Sequence, residues 1–229
     1  MIREAVSYPF KGDEWYVEGL IGGGLLLLYP IFIIIDLTID PRSYSIIYLT
    51  TPALTIFVTG FYLRVARAAG ADIDSRPKFN NGKELFIDGV KTLLIGVIFF
   101  LPSVSIWLGG AYFRIYVISG FGILLFLITS YVAPIALTNF AIEDQFSSGF
   151  DFKAIKNAGI SKRYVKAFIP YSILVYTLGR FFPLIDVRLL IDPQLMLVVL
   201  AIINFYMYYI ATYLIASGCG PQLTAVADS

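Results

Sequence analysis

The chain of 229 residues holds no histidine and only one cysteine, Cys219. Each absence removes a class of chemistry. A Ser–His dyad or triad cannot be built without an imidazole, and the H-E-x-x-H pattern of zinc proteases is excluded with it. A lone thiol leaves too few ligands for a zinc or haem site, so no cofactor and no metal is expected. It also forbids an intrachain disulfide. Charge is scarce as well. Only 14% of residues are Asp, Glu, Lys or Arg, where a soluble domain carries about a quarter. The net charge of +1 provides no field that would draw nucleic acid.

Where charge is missing decides the class. No Asp, Glu, Lys or Arg occurs in 19–35, 43–63, 92–113, 115–142, 167–179 or 193–227. With 58% apolar residues and a mean hydropathy of +0.79, these windows read as membrane-spanning. A helix needs about 20 apolar residues to cross roughly 30 Å of hydrocarbon. Six transmembrane helices are expected near 18–36, 44–64, 90–109, 115–138, 165–184 and 194–217. The fifth window is short and uses Lys166 and Arg180 as snorkelling ends. A soluble core helix would show a polar stripe every 3.6 residues, and LIGGGLLLLYPIFIII (20–35) has none. A β-barrel would need alternating strands of about 10 residues. Asp13, Glu14 and Glu18 before the first apolar run argue against a cleaved signal peptide. The fold class is therefore all-α: one polytopic bundle over 1–229, with cytoplasmic interfacial segments at 64–89 and 140–164.

Six spans put the N-terminus, the loop between the second and third helices and the loop between the fourth and fifth on one side. That side collects thirteen of the seventeen basic residues; Arg42, Arg114, Arg180 and Arg188 make up the other. Basic residues near helix ends stay in the cytoplasm. Both termini are expected inside a plasma membrane. Trp15 and Tyr16 at one end, and Trp107 and Tyr112 at the other, suit the headgroup layers, or alternatively an aromatic core.

The two polar segments inside are the richest in signal. Arg64 and Arg67 share a face where the second helix leaves the bilayer, and Gly70 and Pro77 end it. Lys83–Lys91 then resumes helical spacing, with Leu85, Phe86, Gly89 and Val90 on one side and Glu84, Asp88 and Lys91 on the other. That pattern predicts a short interfacial helix that turns into the membrane. Lys153-Ala-Ile155-Lys-Asn-Ala-Gly159-Ile160 matches Lys83-Glu-Leu85-Phe-Ile-Asp-Gly89-Val90 in its Lys, Gly and branched apolar positions. The match reads as an internal duplication or as two interfacial helices that look alike. Arg64, Arg67, Lys83, Lys91, Lys153, Lys156, Lys162 and Arg163 form a basic collar that would hold anionic lipid or a protein partner.

At these residues the chain resembles a prokaryotic, largely archaeal family of six-helix membrane proteins, domain-of-unknown-function family 4013. The resemblance rests on Gly60-Phe-Tyr-Leu-Arg64-Val-Ala-Arg67, Pro77-x-Phe79, Leu85-Phe86, Asp88-Gly89 and Leu101-Pro102. It extends to Pro134-x-Ala-Leu-x-Asn139-Phe140-Ala141, Gly149-Phe150-Asp151-Phe152, and Tyr8-Pro9-Phe10 with Trp15. It implies a membrane location and the helix count, and it brings no activity.

No carboxylate pair falls within a helix, so an intramembrane aspartyl protease is not expected, and the chain reads as non-enzymatic. Asp36, Asp186, Glu18 and Asp88 read as solvated helix ends. Gly22-Gly-Gly24 lacks the Lys-Ser/Thr of a phosphate loop and reads as a helix-packing surface. Gly218, Gly220 and Pro221 read as the end of the last helix. Asn204, in AIINFYMYY, is the most costly intramembrane polar group and calls for a neighbouring hydroxyl or carbonyl, as interhelical glue or as a substrate contact. Pro30, Pro52, Pro102, Pro134 and Pro170 can kink their helices. The rival function is thus a small-solute transporter or channel with kinked helices. Cys219 offers a natural reporter of sidedness.

Overall fold

The computed structural model describes the backbone of 1–11, 15–39, 45–73, 76–184 and 193–227, and the side chains of 1–11, 15–28, 54–73, 76–177 and 199–225. The side chains of Pro30, Asp36, Arg42, Pro52, Arg180, Asp186 and Arg188 lie outside the described residues. Among the described residues the chain is all-helical. Its α-helices are α1 (Ile2–Ser7), α2 (Trp15–Ile39), α3 (Ser45–Gly70), α4 (Gly82–Tyr112), α5 (Tyr116–Glu143), α6 (Phe152–Gly159), α7 (Lys162–Leu184) and α8 (Pro193–Ala227), with 3₁₀ turns at Tyr8–Phe10 and Phe146–Phe150.

Three described stretches are long and apolar enough to cross a membrane: α4, α5, and Val199–Ala225 of α8; Trp15–Leu28 of α2 is a shorter apolar run. The α4–α5 hairpin turns its greasy side chains outward. Leu101, Leu124 and Val117 are 59%, 54% and 84% exposed. Water would penalise that surface at about 25 cal/mol per Å², whereas hydrocarbon does not. The chain is a membrane protein.

α8 is the axis of the bundle: α1, α2, α3, α5, α6 and α7 all pack on it. Without a hydrophobic force between helices in lipid, close backbone approach supplies the cohesion, and small residues permit it. A Cβ added at Gly22 would sit 2.1 Å from the Phe205 ring, at Gly220 2.2 Å from the Gly70 carbonyl, and at Gly89 1.9 Å from the Ile56 carbonyl. These glycines let α8 meet α2 and α3, and α4 meet α3. Phe61, Tyr209 and Phe205, all fully buried, fill the space between α3 and α8.

Three expectations change. Residues 83–91 do not form a separate interfacial helix that turns; they are the first turns of the continuous 31-residue α4. Gly60 and Gly89 hold that segment against α3, so nothing forces a break. Its counterpart at 153–159 does stand alone as α6, started by Asp151, whose carboxylate accepts from the Lys153 and Ala154 amides. The two segments that align in sequence therefore fold differently. Lastly, Gly218, Gly220 and Pro221 do not end α8, which runs on to Ala227 with Pro221 inside. Gly218 packs on Ala167 and Gly220 on Gly70. Packing from α7 and α3 offsets the intrinsic cost of glycine and proline in a helix.

Candidate functional site

The ends of α3, α5 and α8 and the starts of α2, α4 and α7 meet at one end of the bundle, where most of the charge lies. Arg64 and Arg67 sit one turn apart on α3 and close around Asp88 of α4, at 4.0 and 3.8 Å. Asp88 is 8% exposed. Sequence spacing placed it on the polar side of its helix with Glu84, and as a solvated helix end; the α3–α4 crossing instead turns it inward. It stands ahead of the charge-free run that begins at Thr92. Burial pushes its carboxyl above the ordinary range, with Asp144 adding to that shift, while Arg67, Arg64 and Lys91 pull the other way.

Both arginines are tied further. Arg64 donates to the Lys78 and Asn80 carbonyls and to Asn80 Oδ1, and lies 3.6 Å from Glu84. Arg67 donates to the Ala141 carbonyl and, at 2.7 Å, to Asp144. Asp144 follows α5 in a left-handed conformation, φ 56°, which aspartate tolerates better than most residues.

A third arginine plugs the same end. Arg76 donates to the carbonyls of Lys11 and Trp15 and pairs with Glu18. Their side chains are 13% and 6% exposed, so Glu18 is no solvated helix end either. Arg76 lies beside the Tyr209 hydroxyl, and Arg76 Nε and that hydroxyl are buried there without a well-formed hydrogen bond among the described residues. Next along the loop, Phe79 stacks on Phe61 at 4.1 Å. Residues 76–80 are thus strapped across the bundle end.

The lysines behave otherwise. Lys83, Lys153, Lys156, Lys162, Arg163 and Lys166 are exposed, and none forms an ion pair among the described residues. Lys91 lies over the Phe140 ring at 5.9 Å. The reason is written in the chain: 152–184, which covers α6 and α7, contains no Asp or Glu. Lys162, Arg163 and Lys166 line a cleft of about 480 Å³ with Met1 and Glu4; Glu4 pairs with the Met1 amino group. The collar residues thus divide into arginines neutralised inside the protein and cations left to its surroundings.

Two cavities lie deeper. One of about 810 Å³ opens between α3, α4, α5, α7 and α8. Among the described residues its wall has hydroxyls, including Tyr62, Tyr171 and Ser172, but no charged side chain, and it includes Pro134. A second, of about 730 Å³, runs between α5, α6 and the start of α7. Asn204 lines neither cavity. It is half-buried, and the neighbouring hydroxyl or carbonyl its sequence position calls for is not found among the described residues. Ser103 and Ser130 satisfy themselves on the carbonyls of Phe100 and Phe126. Among the described residues no three Cys, Asp or Glu side chains cluster as metal ligands.

A family model described as "Protein of unknown function (DUF4013)" matches residues 43–216. The chain belongs to this family. Within this DUF4013 protein the matched stretch holds α3 to α7 and most of α8, and so the Arg64–Asp88–Arg67 cluster and all of the unpaired α6–α7 cations. Glu18 lies outside it, so the Glu18–Arg76 pair fastens the preceding segment to the matched part. No curated protein and no solved structure matches the chain.

Sequence reasoning missed Glu18, Arg76 and Asp144 as partners. They lie 58 and 77 positions from the groups they bind, and no local spacing signals such pairs. For Asp88 a signal existed: two arginines on one helical face ask for a carboxylate, and Asp88 precedes the next apolar run.

Proposed function

We propose that this DUF4013 protein is a non-enzymatic, multi-pass protein of the plasma membrane with six spans and both termini inside, whose basic face on α6 and α7 contacts anionic lipid. The observation that carries the reading is the sorting of charge. Arg64, Arg67 and Arg76 have carboxylate partners, while Lys153, Lys156, Lys162, Arg163 and Lys166 have none among the described residues. Unpaired cations at a headgroup layer gain roughly 1 kcal/mol each from an anionic surface. The α2, α3 and α7 helices complete the six spans in this reading. The test is lipid retention by the chain purified in mild detergent. Wild type should retain phosphatidylglycerol over phosphatidylcholine, and the triple variant Lys153→Glu, Lys162→Glu, Arg163→Glu should lose that preference. An unchanged preference sinks the reading.

One observation favours a second reading, a carrier or channel for a small uncharged solute. The 810 Å³ cavity lies among five helices, has hydroxyls and, among the described residues, no charge in its wall, and includes a helix-interior proline, Pro134. Pockets of this size suit small molecules. Flux of uncharged solutes into proteoliposomes tests it: Tyr171→Phe with Ser172→Ala should slow the flux while folding stays intact.

A further inference from the structure

The 730 Å³ groove is walled by α5, α6 and the first turn of α7, with Phe99 of α4 at its side. Phe99, Ile128, Val132, Ile135 and Val165 make it apolar, and among the described residues only one charged side chain, Lys156, lines it. The wall is rigidly built. The Tyr131 hydroxyl donates to the Gly159 carbonyl at 2.5 Å, which fixes α6 on α5, and Tyr164 of α7 donates back to the Tyr131 carbonyl at 2.5 Å.

On α6 the face at the groove mouth carries Phe152, Lys156 and Ile160, spaced i, i+4, i+8 and so aligned along the helix. Phe152 and Ile160 are 69% and 74% exposed. An apolar–cation–apolar stripe is what a helix lying in the headgroup layer presents to lipid.

A second observation points into the groove. Thr129 lines it and is only 7% exposed, yet its hydroxyl has no hydrogen-bond partner among the described residues. A helical Thr or Ser ordinarily satisfies itself on the carbonyl four residues back. Thr59, Thr92, Ser130, Thr138 and Thr212 all do so here. Thr129 does not. An unpartnered hydroxyl on a mostly buried residue, open to an apolar groove with one cation at its mouth, calls for a ligand with three parts in order: an anion, a hydrogen-bond acceptor and a hydrocarbon chain.

We infer that this groove is a stoichiometric site for one anionic glycerophospholipid. The phosphate meets Lys156 at the mouth, the glycerol passes Ile135 and Val132, a linkage oxygen accepts from Thr129, and one chain continues past Ile128 into the bilayer. The inference rests on the basic-face reading above, and replaces diffuse attraction with a defined lipid position at that face.

Native mass spectrometry of the chain in mild detergent, titrated with phosphatidylglycerol or phosphatidylcholine, tests both levels. One phosphatidylglycerol per chain should outlast the rest. Thr129→Val changes no charge and little volume, and should weaken that lipid about fivefold. Lys156→Gln should weaken it by about as much, and by more than Lys153→Gln does. Ile128→Trp, at an exposed rim position, should block the groove without touching the packed interior. If phosphatidylglycerol is preferred but Thr129→Val and Ile128→Trp change nothing, and Lys153→Gln matches Lys156→Gln, charge alone is at work. The site is then overturned while the basic face stands. If wild type shows no preference for phosphatidylglycerol, the basic face falls, and the site with it.

Discussion

Arg76 and Glu18 face one another across 58 positions of chain, with the carboxylate side chain 6% exposed. Two desolvated charges of this kind hold each other in place more than they add net stability. Removing one partner leaves the other buried and uncompensated, which costs about 3–5 kcal/mol. Arg76→Met should therefore lower unfolding stability in detergent by about that amount. The double variant with Glu18→Leu should recover most of the loss. A single-variant cost below about 1 kcal/mol would show that the loop strap is not anchored here.

Tyr209 and Asn204 test the opposite case. Among the described residues neither side chain makes a well-formed hydrogen bond, although the Tyr209 hydroxyl lies beside Arg76, so deleting the polar atom forfeits little. Tyr209→Phe and Asn204→Leu should each leave stability unchanged within about 0.5 kcal/mol, or raise it. An interhelical hydrogen bond would instead reveal itself as a loss of about 0.6–2 kcal/mol. Denaturant titration of the detergent-solubilised variants separates these outcomes, and a loss at Asn204 would restore its reading as glue.

Gly89 and Gly96 lie seven residues apart on α4 in opposite surroundings. A methyl group at Gly89 would meet the Ile56 carbonyl at 1.9 Å, whereas at Gly96 nothing lies within 4 Å. Gly89→Ala must force α3 and α4 apart and should cost about 1–3 kcal/mol. Gly96→Ala should stabilise by up to about 1 kcal/mol, the helix-propensity gain. Equal effects in thermal unfolding would mean that the α3–α4 crossing does not pass through Gly89.

How much of this was legible in sequence follows from the range of each signal. Absence of charge is read residue by residue, so the long apolar runs became α4, α5 and α8 without knowledge of partners. Asp151 starting α6 is a local cap and equally readable. Asp88 was assigned to the wrong face because its orientation is set by Gly60 and Gly89, which decide how α3 crosses α4. Gly218 and Pro221 looked like a stop because intrinsic propensity says so, and packing on Ala167 and Gly70 overrides it. The collar was visible as a list of cations. Its division into neutralised arginines and unpaired lysines required the fold, since the carboxylates come from distant helices.

Sidedness is the remaining claim, and burial changes how it must be measured. Cys219 is fully buried and its Sγ donates to the Ile215 carbonyl at 3.2 Å. A thiol reagent should therefore fail to label it from either face of the native protein, so it cannot report orientation. That same silence makes the native background usable for a single added cysteine. Tyr112, 82% exposed, lies at the far turn of the α4–α5 hairpin, and Lys153 is exposed on α6 at the charged end. The α5 helix of 28 residues between them is about 42 Å long at 1.5 Å per residue, enough to separate two aqueous faces. A membrane-impermeant maleimide should label Tyr112→Cys in intact cells, and Lys153→Cys only after permeabilisation. The reverse pattern would invert the topology and place the basic face outside. Labelling of both in intact cells would mean that α5 does not cross the bilayer at all.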